Sequence, residues 1–286
     1  MSAASQLDLG DAEPARVAGL AALQTGADGA PVVLLVPGYT GSKEDFGPIL
    51  APLAGAGLHA VAIDLPGQHE SPGPVEPDFY TTASLGEVVR AVARELAGAG
   101  PVQLLGHSFG GLVARAAVVA EPSLFASLVL MDSGPGALGG NRAALITYLE
   151  PMLASDGIEA VYAATEAIYA AQPGYVAPAP ELAALLRSRF VAGSPAMLQG
   201  MGRTLRTEPD TVADLAATGI PTLVLYGEDD DAWLPEVQDE MAQRLGAAVV
   251  RIPHAVHSPA VENPAATAAA LIDFWRRLPS RATLRA

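Results

Sequence analysis

The chain has 286 residues, half of them hydrophobic, enough for one large core or a core with a modest inserted lobe. Its formal net charge is −15, from 31 acidic and 16 basic residues; a field of that sign repels phosphate backbones, so nucleic acid is not an expected partner. Cysteine is absent, which excludes disulfides, thiolate catalysis and cysteine–zinc sites.

Met1 to Arg16 is acidic and Ala-rich, with neither a basic start nor an apolar stretch. No run of about 18 apolar residues follows it anywhere, so a cytoplasmic chain without a membrane partner is expected. Residues 1–29 carry weak patterning and read as a tail or an edge hairpin. Strand and helix signals then alternate. Val32 to Val36 is a short apolar run rich in β-branched residues, as expected of a strand buried on both faces. Glu44 to Gly57 has helical spacing, His59 to Ile63 is a second strand, and Leu85 to Leu96 is an amphipathic helix. Val102 to Leu105 reads as strand, Leu112 to Ala120 as helix, and Ser127 to Met131 as strand.

From about Gly134 to Ala217 the pattern is helical only, with apolar stripes punctuated by Pro173, Pro178, Pro180 and Pro195. The alternation then resumes with a strand at Thr222 to Tyr226, a helix at Glu236 to Leu245, a strand at Ala248 to Ile252 and a helix at Ala265 to Leu278. Strands alternating with helices predict an α/β fold with a mostly parallel central sheet covered by helices on both faces. The helix-only block divides the chain into a core of 1–133 and 218–286 and an all-helical insertion of 134–217. Such an insertion sits over the carboxyl ends of the strands, where ligands bind in open α/β sheets. Arg276, Arg277, Arg281 and Arg285 read as the end of the last helix and a frayed tail, where cations suit the dipole.

The chemistry is concentrated in Gly106-His107-Ser108-Phe109-Gly110. This pentapeptide joins a predicted strand to a predicted helix. A serine on so tight a turn is held in strained backbone geometry with its oxygen exposed at the end of a sheet. A nucleophilic serine needs a base, and the base needs an orienting acid. His254 and His257 both follow the strand ending at Ile252. Asp229, Asp230 and Asp231 follow the strand ending at Tyr226. Serine, acid and histidine, each on a loop after a strand, come in the chain order of the α/β-hydrolase arrangement. An oxyanion hole needs two backbone donors. The amide of Phe109, directly after the serine, is one. The amide of Tyr39, in the glycine-rich turn Pro37-Gly38-Tyr39-Thr40-Gly41-Ser42, is the other. That turn lacks the Gly-Lys-Ser/Thr of a phosphate loop, and Lys43, the only lysine, is misplaced for one. His254 and His257 are poorly placed for a metal, because Pro253 and Pro259 prevent the helix that would serve such a pair.

With these residues in place, the chain resembles the α/β-hydrolase fold superfamily, and within it bacterial serine-nucleophile hydrolases with a helical cap. The likeness covers roughly residues 30–135 and 218–280. It implies Ser108 as nucleophile, His257 as base and Asp230 as acid, since Asp230 stands three residues after Gly227 as in the family's Gly-x-x-Asp. Asp231 is the fallback acid. Pro37 stands where the family often has histidine, which leaves the backbone donor intact. A serine nucleophile implies ester or related acyl chemistry without a cofactor or metal. Carbon–carbon bond hydrolysis, cofactor-free haloperoxidase-like chemistry, acyl transfer and a non-catalytic ligand-binding role are the alternatives. The expected partner is a small, fairly apolar molecule, because the helical segment is apolar with few arginines. Met152, Tyr169 and Trp233 are candidates to line its pocket, with Tyr162, Phe190, Met197 and Met201 as further ones. Monomer and homodimer are both compatible with the sequence.

Overall fold

The computed structural model describes residues 5–172 and 174–278. Arg281, Arg285 and Pro173 lie outside the described residues. An antiparallel hairpin comes first, β1 (Glu13–Val17) and β2 (Leu20–Thr25). Then follow β3 (Val32–Val36), α1 (Gly47–Gly55), β4 (His59–Ile63), α2 (Thr82–Leu96), β5 (Val102–His107), α3 (Phe109–Ala120) and β6 (Phe125–Met131). Helices occupy the next stretch: α4 (Gly140–Ser155), α5 (Gly157–Ala170), α6 (Pro180–Val191), α7 (Pro195–Thr207) and α8 (Val212–Ala217). The chain ends with β7 (Thr222–Gly227), α9 (Pro235–Leu245), β8 (Ala248–Ile252), α10 (Pro259–Glu262) and α11 (Pro264–Arg277).

The eight strands form one sheet in the order β1-β2-β4-β3-β5-β6-β7-β8. The hairpin joins antiparallel at one edge, through β2 on β4. Every other pairing is parallel. Side chains of the central strands alternate between two cores. Leu34, Val36, Val61, Ile63, Leu128, Leu130 and Val224 pack under α2, α3, α8 and α9. Their sequence neighbours Val33, Leu35, Ala60, Ala62, Val129 and Leu223 pack under α1, α10 and α11. Burial on both faces explains why these strands are continuous apolar runs; each fully buried Val or Leu contributes roughly 1.5–3 kcal/mol.

The first predicted helix differs in one respect. Residues 43–46 form a 3-10 turn, and α1 begins only at Gly47, with Pro48 in its first turn. Proline fits there because the first amides of a helix have no intrahelical acceptor. Nor is the helix-only stretch one packing unit: α4, α5, α6 and α7 pack on one another, whereas α8 packs against α3 and α9 over the sheet.

Where β5 turns into α3, strand and helix meet at backbone contact. A Cβ on Gly106 would stand 2.2 Å from the Gly110 carbonyl oxygen, and one on Gly110 would stand 2.4 Å from the Pro37 carbonyl oxygen. No side chain fits either gap. Gly106→Ala is therefore expected to lower the thermal midpoint by at least about 5 °C, a loss of roughly 2 kcal/mol or more. Differential scanning calorimetry checks this, and an unchanged midpoint contradicts the contact.

Candidate active site

Parallel register brings the strand ends level. His107 pairs with Met131, Met131 with Leu225, and Gly227 with Ile252. The residues just beyond these ends therefore share one rim of the sheet. Ser108 has φ 54° and ψ −121°, a conformation that side-chain-bearing residues rarely adopt. Its amide donates to the Met131 carbonyl (2.8 Å), and its carbonyl accepts from Gly111 (2.9 Å). These bonds and the glycine contacts hold the turn.

The Ser108 hydroxyl lies 3.0 Å from His257 Nε2, and His257 Nδ1 lies 2.8 Å from Asp230 Oδ1. A carboxylate oxygen only accepts, so Nδ1 carries the proton and Nε2 is left to accept from the serine. Asp230 is itself held firmly. Oδ1 accepts from the Ala232 amide (2.9 Å) and Oδ2 from Gln238 Nε2 (2.7 Å), and Gln238 is fully buried. Asp231 turns away to bind Arg142 (2.6 Å). Burial opposes ionisation of Asp231, but the Arg142 guanidinium outweighs it and holds this carboxyl below its ordinary range. His254 points into solvent with its side chain 91 % exposed.

The Pro37–Ser42 turn lies beside the serine: a Cβ on Gly38 would be 3.1 Å from that of Ser108. Phe109 opens α3, where a helix leaves its amide without an intrahelical acceptor. Gln68, buried, donates to the Gly38 and Tyr39 carbonyls (2.6 and 3.2 Å) and fixes the turn from behind. Lys43 continues the anchoring. Its amide donates to Asp64 Oδ1 (2.8 Å), and its ammonium lies 2.8 Å from Glu44, 3.0 Å from Asp64 and 2.8 Å from Glu70. Burial disfavours this charge, yet the three carboxylates outweigh it and keep the ammonium protonated beyond the usual lysine range.

Residues 33–270 match the alpha/beta hydrolase family. The chain belongs to that family. It is 28% identical over 262 residues to a 2-succinyl-6-hydroxy-2,4-cyclohexadiene-1-carboxylate synthase of Enterobacter sp. (strain 638), covering 88% of this chain and 95% of that protein. It is 29% identical over 263 residues to a putative carbamate hydrolase of Variovorax paradoxus (strain S110), covering 88% and 94%. Among solved structures, the enol-lactonase of Burkholderia xenovorans LB400 superposes with a TM-score of 0.76 at 21% identity, covering 93% of this chain and all of that one.

In this α/β-hydrolase a cavity of about 360 Å3 opens above Ser108 and His257, between the sheet rim and helices α4 to α7. Its apolar wall includes Leu145, Leu149, Val161, Leu186 and Phe190. Tyr169 and Tyr162 line it as expected. Met152 and Trp233 do not. Trp233 is buried edge-on against Gly134, where a Cβ would meet the indole at 2.0 Å, and so seals the loop after β6. Met152 is half-buried on α4, away from the cavity-lining Leu145, Leu149 and Leu153. Met197 and Met201 belong to the core. Arginine is also more prominent than expected. Arg142, Arg189 and Arg206 all reach the cavity, each bound to an acid: Asp231, Asp45 and Glu150 respectively. A hydrophobic stripe tells which side of a helix is buried but not which buried side faces a void, and this separates the right residues from the wrong ones.

Two further residues hold places at the rim that the sequence does not assign. His107, although next to the serine, is buried with Nε2 2.6 Å from the His257 carbonyl oxygen, to which it donates. It thus ties the histidine loop to the end of β5. Asp132, directly after β6, is buried beside Asp230 with φ 47°. Its placement after a strand is the same signal that singles out Asp230.

Burial first, and the neighbouring His257 second, push the His107 imidazole down to about 4. The unfolded chain takes up this proton near pH 6.5, but the folded one resists until about pH 4. Stability is therefore full above the unfolded value and falls as pH drops through this window, by on the order of 3 kcal/mol once below both. His107→Gln, which keeps a donor and cannot titrate, is expected to remove most of that loss. Urea unfolding at several pH values checks this; equal pH dependence in the two proteins contradicts it.

Proposed function

We propose that this protein is a serine hydrolase that cleaves a small, largely apolar ester or related acyl compound through an acyl-enzyme. The observation that carries the reading is the unbroken relay Asp230–His257–Ser108, with links of 2.8 and 3.0 Å, at the floor of the cavity. In this reading Ser108 Oγ attacks the carbonyl carbon while His257 Nε2 takes its proton. Asp230 keeps the imidazole in the required tautomer and stabilises the imidazolium. The negative charge that develops on the substrate oxygen is met by the Tyr39 and Phe109 amides; each such donor is typically worth about 2.7–4 kcal/mol of barrier. His257 passes the proton to the leaving group. A water, deprotonated by the same nitrogen, then attacks the acyl carbon and frees the serine.

Helices α4 to α7 act as a cap in this reading, and the small-molecule substrate lies beneath them. The apolar wall receives the acyl or alkyl part. Because each cavity arginine already has an acidic partner, the walls offer, among the described residues, no free cation to a polyanion, and Glu166 adds a further acid.

Ser108→Ala is expected to lower kcat/KM on p-nitrophenyl esters by at least about 10⁴-fold and to abolish labelling by a fluorophosphonate, with the fold unchanged by circular dichroism. Labelling or turnover that survives the substitution overturns the mechanism. Across a panel of esters, neutral acyl groups are expected to exceed polycarboxylated ones in kcat/KM by more than about tenfold. A preference in the other direction contradicts the cavity assignment.

A further inference from the structure

Asp132 is the buried acid that the relay leaves unused. It is fully buried at the carboxyl end of β6, and its backbone sits at φ 47°, a left-handed conformation that needs support from its surroundings. Oδ1 accepts from the Gly227 amide at 2.9 Å. Oδ2 is buried and, among the described residues, has no hydrogen-bond donor. Ligating atoms of Asp132, Asp230 and His257 all lie within 4.8 Å of one another. Two carboxylates so close and so deeply buried repel each other, so a charge on one disfavours a charge on the other. Asp230 already accepts from His257, the Ala232 amide and Gln238. Asp132 has one such contact and an oxygen left over.

We propose that the acid of the relay is a carboxyl pair, in which Asp132 is a positioning residue that holds the one proton shared with Asp230 and braces Asp230 toward the imidazole. This rests on the serine-hydrolase reading above. The charged groups around Asp132 agree with it. Burial first, then the negative charge of Asp230, push the Asp132 carboxyl well up; Glu262 on α10 adds to this, and only the Gly227 amide opposes it. The facing His257 ring is engaged by Asp230. The Asp132 hydroxyl then supplies what Oδ2 lacks, by donating to Asp230.

The arrangement has a consequence that a purely structural aspartate would not have. When Asp230 is replaced by asparagine, the proton is no longer shared and Asp132 ionises more readily. Its carboxylate then attracts the new amide NH2, which turns the asparagine oxygen toward His257 Nδ1 and preserves the working tautomer. A lone triad acid offers no such rescue, and its asparagine variant loses about 10⁴-fold.

The test compares wild type, Ser108→Ala, Asp230→Asn and Asp132→Asn/Asp230→Asn on one p-nitrophenyl ester from about pH 5 to 9, with folding checked by circular dichroism. Asp230→Asn is expected to keep at least about one hundredth of wild-type kcat/KM, to lose it mainly in kcat, and to gain activity as pH rises and Asp132 ionises. The double variant is expected to fall a further hundredfold or so and to lose that pH-dependent gain. Equal activity of the single and double variants at every pH overturns the carboxyl pair. Should the double variant fail to fold, a pH profile of Asp230→Asn without the rise overturns it instead. An active Ser108→Ala overturns the underlying hydrolase reading, and does so independently of either result.

Discussion

The close meeting of β5 and α3 at Gly106 and Gly110 is the constraint on which the site depends. With backbone against backbone at that turn, Ser108 is forced to φ 54° and its hydroxyl is lifted clear of the sheet. Parallel register then does the rest. Because β5, β6, β7 and β8 end level, Ser108, Asp132, Asp230 and His257 arrive at one rim from segments far apart in the chain.

That rim is built to be stiff. Met131 accepts the serine amide, His107 holds the His257 carbonyl, and Gln238 holds Asp230. In the proposed reaction such fixed partners matter, because a base displaced by about an ångström can cost a hundredfold in rate. Buried charge serves the same end at Lys43. Its network with Asp64, Glu44 and Glu70 is a poor source of stability, since desolvation offsets most of the attraction. It does, however, fix where the Pro37–Ser42 turn leaves β3.

The helices above the cavity are wired to the same turn. The half-buried Tyr39 donates its hydroxyl to the Leu198 carbonyl of α7 at 2.7 Å. Arg189 of α6 reaches Asp45 at 2.5 Å and Ser42 Oγ at 3.2 Å. Movement of α6 or α7 is therefore felt directly by the backbone that faces the serine. The wall of the cavity and the turn that carries the Tyr39 amide are thus joined by direct hydrogen bonds.

Much of this was legible in the sequence, for reasons specific to each element. Strands buried on both faces, such as Val32–Val36, declare themselves as β-branched apolar runs, and the pentapeptide around Ser108 announces its turn through glycines that nothing else can replace. The order of serine, acid and histidine followed, because each stands on a loop after such a strand. The helical stretch over the cavity was equally plain as helix, but which side chains enter the void was not. Met152 and Trp233 face away from it while Arg142, Arg189 and Arg206 reach it, because cavity lining depends on how helices cross, and periodicity carries no information on that. Whether Asp230 or Asp231 meets the imidazole was likewise beyond adjacent positions in one turn; Gln238 and Arg142 decide it by pulling the two side chains apart. Asp132 is the clearest case. The sequence determined that an acid follows β6, but only the packing of β6 against β7 put it beside a second carboxylate, where a charge on one disfavours a charge on the other.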